Sequence, residues 1–285
     1  MKRILILLFL FSSFLSVAQI PVNVGVVSSQ SSVNFTEEYQ EVLDRATALG
    51  YTLPSPGQRV KQNQLVITLK ALGVWNTLDV FYAFETDGDS DFATLNWKDP
   101  DSHQASKVNS PTFTPNHGFT GNGTTSYLNT DWNPSIHGVN YTLNSAGIGC
   151  YSSTGVELSA NFLFGASDGT GITNLNPRTP TNTCGFRINQ SASLNFSNSN
   201  ASGFWHLQRT ASNAISIHKD GSSLSTGTTT SNQRPNQPIF LLALNNNTTP
   251  SNFAARNIGM FWAGANMNGL ESAFYTAWNT YHTSL

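Results

Sequence analysis

The stretch FYAFETDGDSDFATLNWKDP, residues 81–100, sets five acids (Glu85, Asp87, Asp89, Asp91 and Asp99) between two apolar segments. Three chemistries fit such a run. Acids at every second position of a strand share one face, so Glu85, Asp87 and Asp89 could line a cleft as a hydrolytic set. A retaining pair needs its carboxyl groups about 5–5.5 Å apart, and Asp89 is one methylene shorter than a glutamate. Asp87, Asp89 and Asp91 also have the alternate spacing that opens a calcium loop. An EF-hand then requires Gly at the sixth position and Glu at the twelfth, where this chain has Phe92 and Lys98. A looser calcium site is what that reading leaves. The third reading is a solvated turn, because Asp-Gly-Asp-Ser is turn chemistry and would end the strand near Glu85. The turn is favoured, with calcium as the alternative and no other cofactor expected.

A second stretch, NHGFTGNGTTSYLNTDWNP, residues 116–134, mixes aromatics with Asn, Asp and Gly. Surfaces that bind sugars stack rings on exposed aromatics and bond hydroxyls through amides and carboxylates. Asn116, Asn122, Asp131, Trp132 and Asn133 are therefore the candidate ligand-binding set, with Trp132 expected at the surface. Tyr127 and Trp205 are expected in the core, the commoner fate of a strand aromatic. The histidines at 103, 117, 137, 206, 218 and 282 are scattered and form no HExxH spacing. No G-x-S-x-G occurs, and GASDGTG, residues 165–171, lacks the lysine of a phosphate loop and reads as a long loop. Cys150 and Cys184 either form a disulfide in an oxidising compartment or lie buried as two small apolar residues.

The elements that must hold these residues begin with a leader. MKRILILLFLFSSFLSVAQ has a basic start, an apolar run too short to span a bilayer and small residues at 16 and 18. Residues 1–18 read as a secretory signal peptide and 19–35 as an extended lead-in. Thr36 can cap a helix carrying Tyr39, Val42, Leu43, Ala46 and Leu49 on one stripe. Pro56 can open a second helix, running through Val60, Leu65, Leu69 and Leu72 to Gly73. Residues 36–76 thus form a helical hairpin whose stripes must pack on something else. From Leu78 the chain breaks into short runs separated by Gly, Pro, Asn and Asp, ATLNW among them, the pattern of a sandwich or barrel. AISIHKDGSSLST is the clearest hairpin, with Asp220-Gly221 at its turn. NGLESAFYTAWNTYHTSL closes the chain as a helix expected to cover an end or edge of the sheets. Only 11% of residues are charged, against about 25% in ordinary soluble domains, and the formal net charge is −2. Nothing there attracts nucleic acid, and no membrane span is expected after signal cleavage.

From about Gly57 to Leu285 the chain resembles concanavalin A-like jelly-roll domains of the LamG or pentraxin type, found in phage tail and other virion proteins and in bacterial surface proteins. The likeness rests on ALGVWNTLDVFYAF…DFATLNWKDP, on FWHLQRTASNAISIHKDGSSLST…PIFLLALNNN and on the closing helix GLESAFYTAWNTYHTSL. It implies a mainly β, two-sheet antiparallel jelly-roll sandwich over 77–285. Glucanases of this resemblance use Glu-x-Asp-x-Glu on one strand, and here Asp89 stands where the acid/base Glu belongs. Virion proteins carry no secretory leader, whereas this chain begins with one. The expectation is a secreted, periplasmic or cell-surface recognition or adhesion module, non-enzymatic, for a surface glycan or an envelope or virion protein. A structural virion subunit and a β-glucan hydrolase using Glu85 and Asp89 are the alternatives.

Overall fold

A computed structural model of the chain describes residues 34–155 and 161–285. The leader, residues 1–18, and the lead-in up to residue 33 lie outside the described residues. Helix α1 (Glu37–Ala48) starts where Thr36 accepts the Tyr39 N–H, and α2 (Pro56–Ala71) where Ser55 accepts the Gln58 N–H. One short helix follows at once, α3 (Val74–Thr77), another interrupts the strands, α4 (Pro134–His137), and α5 (Glu271–His282) closes the chain.

Between them the strands build two main antiparallel sheets. The six-stranded sheet runs Leu78–Ala83, Met260–Gly264, Ala146–Ser152, Gly203–Ala211, Ala214–Lys219, Ser222–Gly227. The larger sheet includes Thr183–Arg187, Ile172–Asn176, Phe164–Ser167 and Tyr127–Asn129. Val80, Tyr82, Ile148, Trp205, Leu207 and Phe261 of the first sheet share one core with Leu128, Phe164, Leu175 and Phe186 of the second. The architecture is a β-sandwich, one of the two that the run of short strands allowed and the one that the resemblance implied. Asp220 and Gly221 both have positive φ, 50° and 76°, and close the expected two-residue hairpin.

The six-stranded sheet is buried on both faces over most of its width. Strand alternation sends Val80 and Tyr82 inward and Phe81 and Ala83 outward, and the outward residues join a second core. There Phe81, Phe204, Met260 and Trp262 meet Tyr39, Val42, Leu65 and Leu69 of the first two helices and Phe274 and Trp278 of α5. Helix α5 therefore lies on a face of the sheet, not at its end or edge as its position in the chain implied. Phe274 packs 5.1 Å from the Phe204 ring and 5.2 Å from Trp262. The segment ATLNW is not a strand either. Residues Phe92–Thr94 form a 3-10 turn, because the Asp89 side chain accepts the N–H groups of Asp91 and Phe92 and bends the chain there.

Candidate functional site

The acidic run is a turn. The strand ends at Ala83, residues 87 and 88 are a bend and 90 and 91 a turn, so the period of two is lost before Asp87. Glu85 is turned inward and is 1% exposed, whereas Asp87 is exposed. The Glu85, Asp87, Asp89 set consequently shares no strand face. The calcium reading also fails on geometry. Asp87 accepts the Ser55 N–H at 2.9 Å, Asp89 accepts Thr52 N–H at 2.6 Å as well as the two nitrogens above, and Asp91 pairs with Lys107 at 2.7 Å. The three carboxylates are aimed at three different places. Among the described residues no group of three His, Cys, Asp or Glu is placed to hold a metal ion.

What Asp87 and Asp89 do is fasten the α1–α2 connection to the sheet. Burial raises the Asp89 carboxyl, but the N–H bonds from Phe92, Thr52 and Asp91 outweigh it and hold it below the usual 3.8. A depressed acid adds stability above its unfolded value, and that increment is lost as pH falls through the folded value. Asp89→Asn is expected to cost about 1 kcal/mol near neutral pH, modest because the group is partly solvated. Urea unfolding should show the difference shrinking below about pH 3.8; an equal cost at both pH values would show that the bonds carry no charge dependence.

Cys150 and Cys184 are free thiols, both fully buried. They sit in opposite sheets of the sandwich and fill the shared core as small apolar residues. Burial pushes both thiols well up. The disulfide is not formed.

Of the five residues expected to bind ligand, three come together and two do not. Asn116 accepts from the Gln58 amide at 3.0 Å, tying its loop to α2. Asn122 accepts the N–H groups of Thr124, Thr125 and Ser126 and organises its own turn. Asp131, Trp132 and Asn133 line or adjoin a cleft of about 280 Å³. Trp132 is not at the surface, however. It is 1% exposed and packs edge-on against Tyr141 at 5.5 Å. The reason is local: Asp131 has φ of 55°, and Asn133 then caps α4 by accepting the Ser135 N–H at 2.9 Å. Those two bends carry the indole inward.

The rest of the cleft comes from residues distant in sequence. Asp79, Asn96, Asp99, His103, His137 and Asn140 line it with Trp132. Asp79 accepts the N–H groups of Asn140 and Tyr141 at 2.8 and 2.9 Å, which fixes the wall after α4. Arg234 braces the same wall from behind, donating to the carbonyls of Ser135, Gly138 and Tyr141. The His103 and His137 rings lie 4.3 Å apart.

A larger opening, about 520 Å³, lies on the outer face of the six-stranded sheet beyond the edge of the helical layer. The strand registers place Gln208 opposite Ser216 and Ser216 opposite Thr226, so an amide and two hydroxyls form a row across three strands. At strand spacing that row spans about 10 Å. Thr210, Asn213, Thr228 and Asn268 complete a lining that contains no charged side chain. One row earlier, His206 and His218 are opposite each other and are covered, since Gln208 donates to Glu271 at the start of α5 at 2.6 Å. The groove begins where α5 stops. Alternation in AISIHKDGSSLST sets Ser216 between Ile215 and Ile217; its place in the groove depends on the neighbouring strands.

Fold and openings define a β-sandwich with two polar surface openings, one lined by uncharged amides and hydroxyls and one that brings imidazoles and carboxylates together. No protein-family model matches the chain, and no curated protein matches it. Solved structures with partial likeness include the NanB sialidase of Streptococcus pneumoniae, 14% identical, TM-score 0.38, over 47% of this chain and 24% of that one. The receptor-binding domain of botulinum neurotoxin C/D mosaic serotype is 10% identical, TM-score 0.47, over 71% of this chain and 51% of that one. The CBM40 of a Ruminococcus gnavus sialidase, bound to α2,3-sialyllactose, is 12% identical, TM-score 0.38, over 48% of this chain and 84% of that one. The chain thus spans about a quarter of the sialidase and half of the toxin domain.

Proposed function

We propose that the mature chain is an exported, non-enzymatic recognition module that binds a neutral surface glycan in the groove lined by Asn213, Ser216 and Thr226. The groove's lining carries the reading: hydroxyls and amides both donate and accept, which matches a polyol, and the absence of charge disfavours phosphates and nucleic acid. The leader and the low-charge composition support export. The groove contains no aromatic ring, so affinity rests on hydrogen bonds exchanged with water, and a Kd near 1 mM is expected for a short oligosaccharide. The test is a glycan panel against residues 19–285, with Ser216→Val and Thr226→Val as near-isosteric variants. Binding to a neutral glycan that weakens about tenfold in either variant, with Tm unchanged, supports the assignment. Absence of binding across the panel, or binding indifferent to both variants, sinks it.

A further inference from the structure

The cleft beside α4 has a hydrogen-bonding polarity set by two ring tautomers. His103 Nδ1 lies 3.2 Å from the Asp131 carbonyl oxygen. A carbonyl only accepts, so Nδ1 carries the hydrogen and Nε2 is left with a lone pair. His137 is the reverse: its Nδ1 accepts the Asn133 N–H at 3.0 Å, so the neutral ring carries its hydrogen on Nε2. Neither Nε2 has a hydrogen-bond partner among the described residues. One cleft therefore offers, side by side, an imidazole acceptor and an imidazole donor over rings 4.3 Å apart. A metal ion is a poor match, because His137 Nε2 has no lone pair in this tautomer.

We propose that His103 and His137 form the recognition edge of a second site, for a single hydroxylated ring such as a monosaccharide residue, His103 Nε2 accepting from one ligand hydroxyl and His137 Nε2–H donating to another. The cleft, about 280 Å³, is at the lower limit of small-molecule sites and suits one ring better than a chain. Asn140 and Asp99 supply further polar contacts at the wall, and Val139, 82% exposed, offers an apolar patch for a ring face. His103, with φ of 56°, and Asp131, with φ of 55°, are both held in the left-handed region beside the cleft, a strain that tertiary contacts must offset. The site is separate from the groove, so either assignment can fail alone.

Protonation of either ring removes the complementarity. A charged His103 loses its acceptor, and a charged His137 sets an Nδ1 hydrogen against the Asn133 N–H. The groups facing the pair are Asp79 and Asp99 from the opposite wall and Asp131 from the preceding loop, with Arg234 behind Gly138. Burial, then His103, lower the His137 pKa, and Asp131 opposes them. His137 thus stays neutral near pH 7.

The experiment titrates residues 19–285 with the methyl pyranosides of glucose, galactose and mannose, following the imidazole resonances by NMR. His103→Asn tolerates the positive φ and keeps an N–H for the Asp131 carbonyl while deleting Nε2. His137→Asn keeps an acceptor for the Asn133 N–H and likewise deletes Nε2. Saturable shifts at both imidazoles at about pH 7.5, weakened about tenfold in each variant, are expected. Binding that persists in both variants, binding abolished by Ser216→Val instead, or no shift with any of the three pyranosides at tens of millimolar overturns the proposal.

Discussion

His282→Ala is expected to destabilise the protein by about 3 kcal/mol at pH 6 and by clearly less at pH 8. His282 Nδ1 meets the buried Glu85 carboxylate at 2.7 Å, and its Nε2 lies 3.0 Å from the Tyr151 hydroxyl. Burial pushes Glu85 above its usual 4.5, and the His282 bond and charge restrain that rise. The bond to Glu85 in turn raises His282 above 6.5, against the effect of its own burial. In the wild type both raised groups act with one sign: their contribution is full at low pH and fades as pH climbs through the folded values. Removing His282 leaves Glu85 unpartnered, so the folded state holds its proton more tightly. The penalty should then shrink as pH climbs above about 6.5, where the wild type also loses the His282 charge that holds Glu85. Urea unfolding of wild type and variant at the two pH values measures it, and adding Glu85→Gln should flatten the pH dependence. A cost independent of pH would mean that the pair contributes packing alone.

Gly149→Ala should be more severe, at least about 3 kcal/mol, and the chain is expected to accumulate poorly in soluble form. Gly149 lies in the strand Ala146–Ser152, paired on both sides, to Gly203–Ala211 and to Met260–Gly264. A methyl there would stand 2.1 Å from the Trp205 carbonyl oxygen and 2.7 Å from Trp262 Nε1. The first of these is backbone held in the sheet, so no rotamer change relieves it. A melt of Gly149→Ala within a few degrees of the wild type would show that the two sheet neighbours are free to part. Gly155→Ala, where the nearest atom is the Asn200 side-chain oxygen at 3.0 Å, is the matched control.

Much of the framework was legible one segment at a time. Thr36 caps the first helix as expected, Pro56 opens the second, and Asp220-Gly221 turns the hairpin. These features depend on a few neighbouring residues and on hydrogen bonds that close locally. Two segments misled for the same reason. ATLNW carries strand-forming residues, yet Asp89 binds the backbone nitrogens of Asp91 and Phe92 just before it and bends the chain. The closing helix was placed at an edge because nothing in its own sequence shows which sheet face is apolar. The unbroken run IGMFWAG did contain that signal, since alternation sends Met260 and Trp262 one way and Phe261 and Ala263 the other.

The candidate sites were far less legible. Asp131, Trp132 and Asn133 were singled out from their types, and the structure keeps them near a cleft while burying the indole. His103 and His137 are 34 positions apart in the sequence and carry no mutual spacing signal. The groove row, Gln208, Ser216 and Thr226, exists only through strand register.

The amino-acid sequence alone determined the first helix cap, the hairpin turn and the weakly charged β-rich class of sandwich or barrel, because propensity, periodicity and turn chemistry act over a few residues. Tertiary structure alone decided that Glu85 meets His282, that the acidic run braces a helical connection, that Trp132 is core, and that two distant imidazoles share a cleft. Those outcomes depend on which surfaces the sheets and helices bury against one another, and burial is a property of the packed whole.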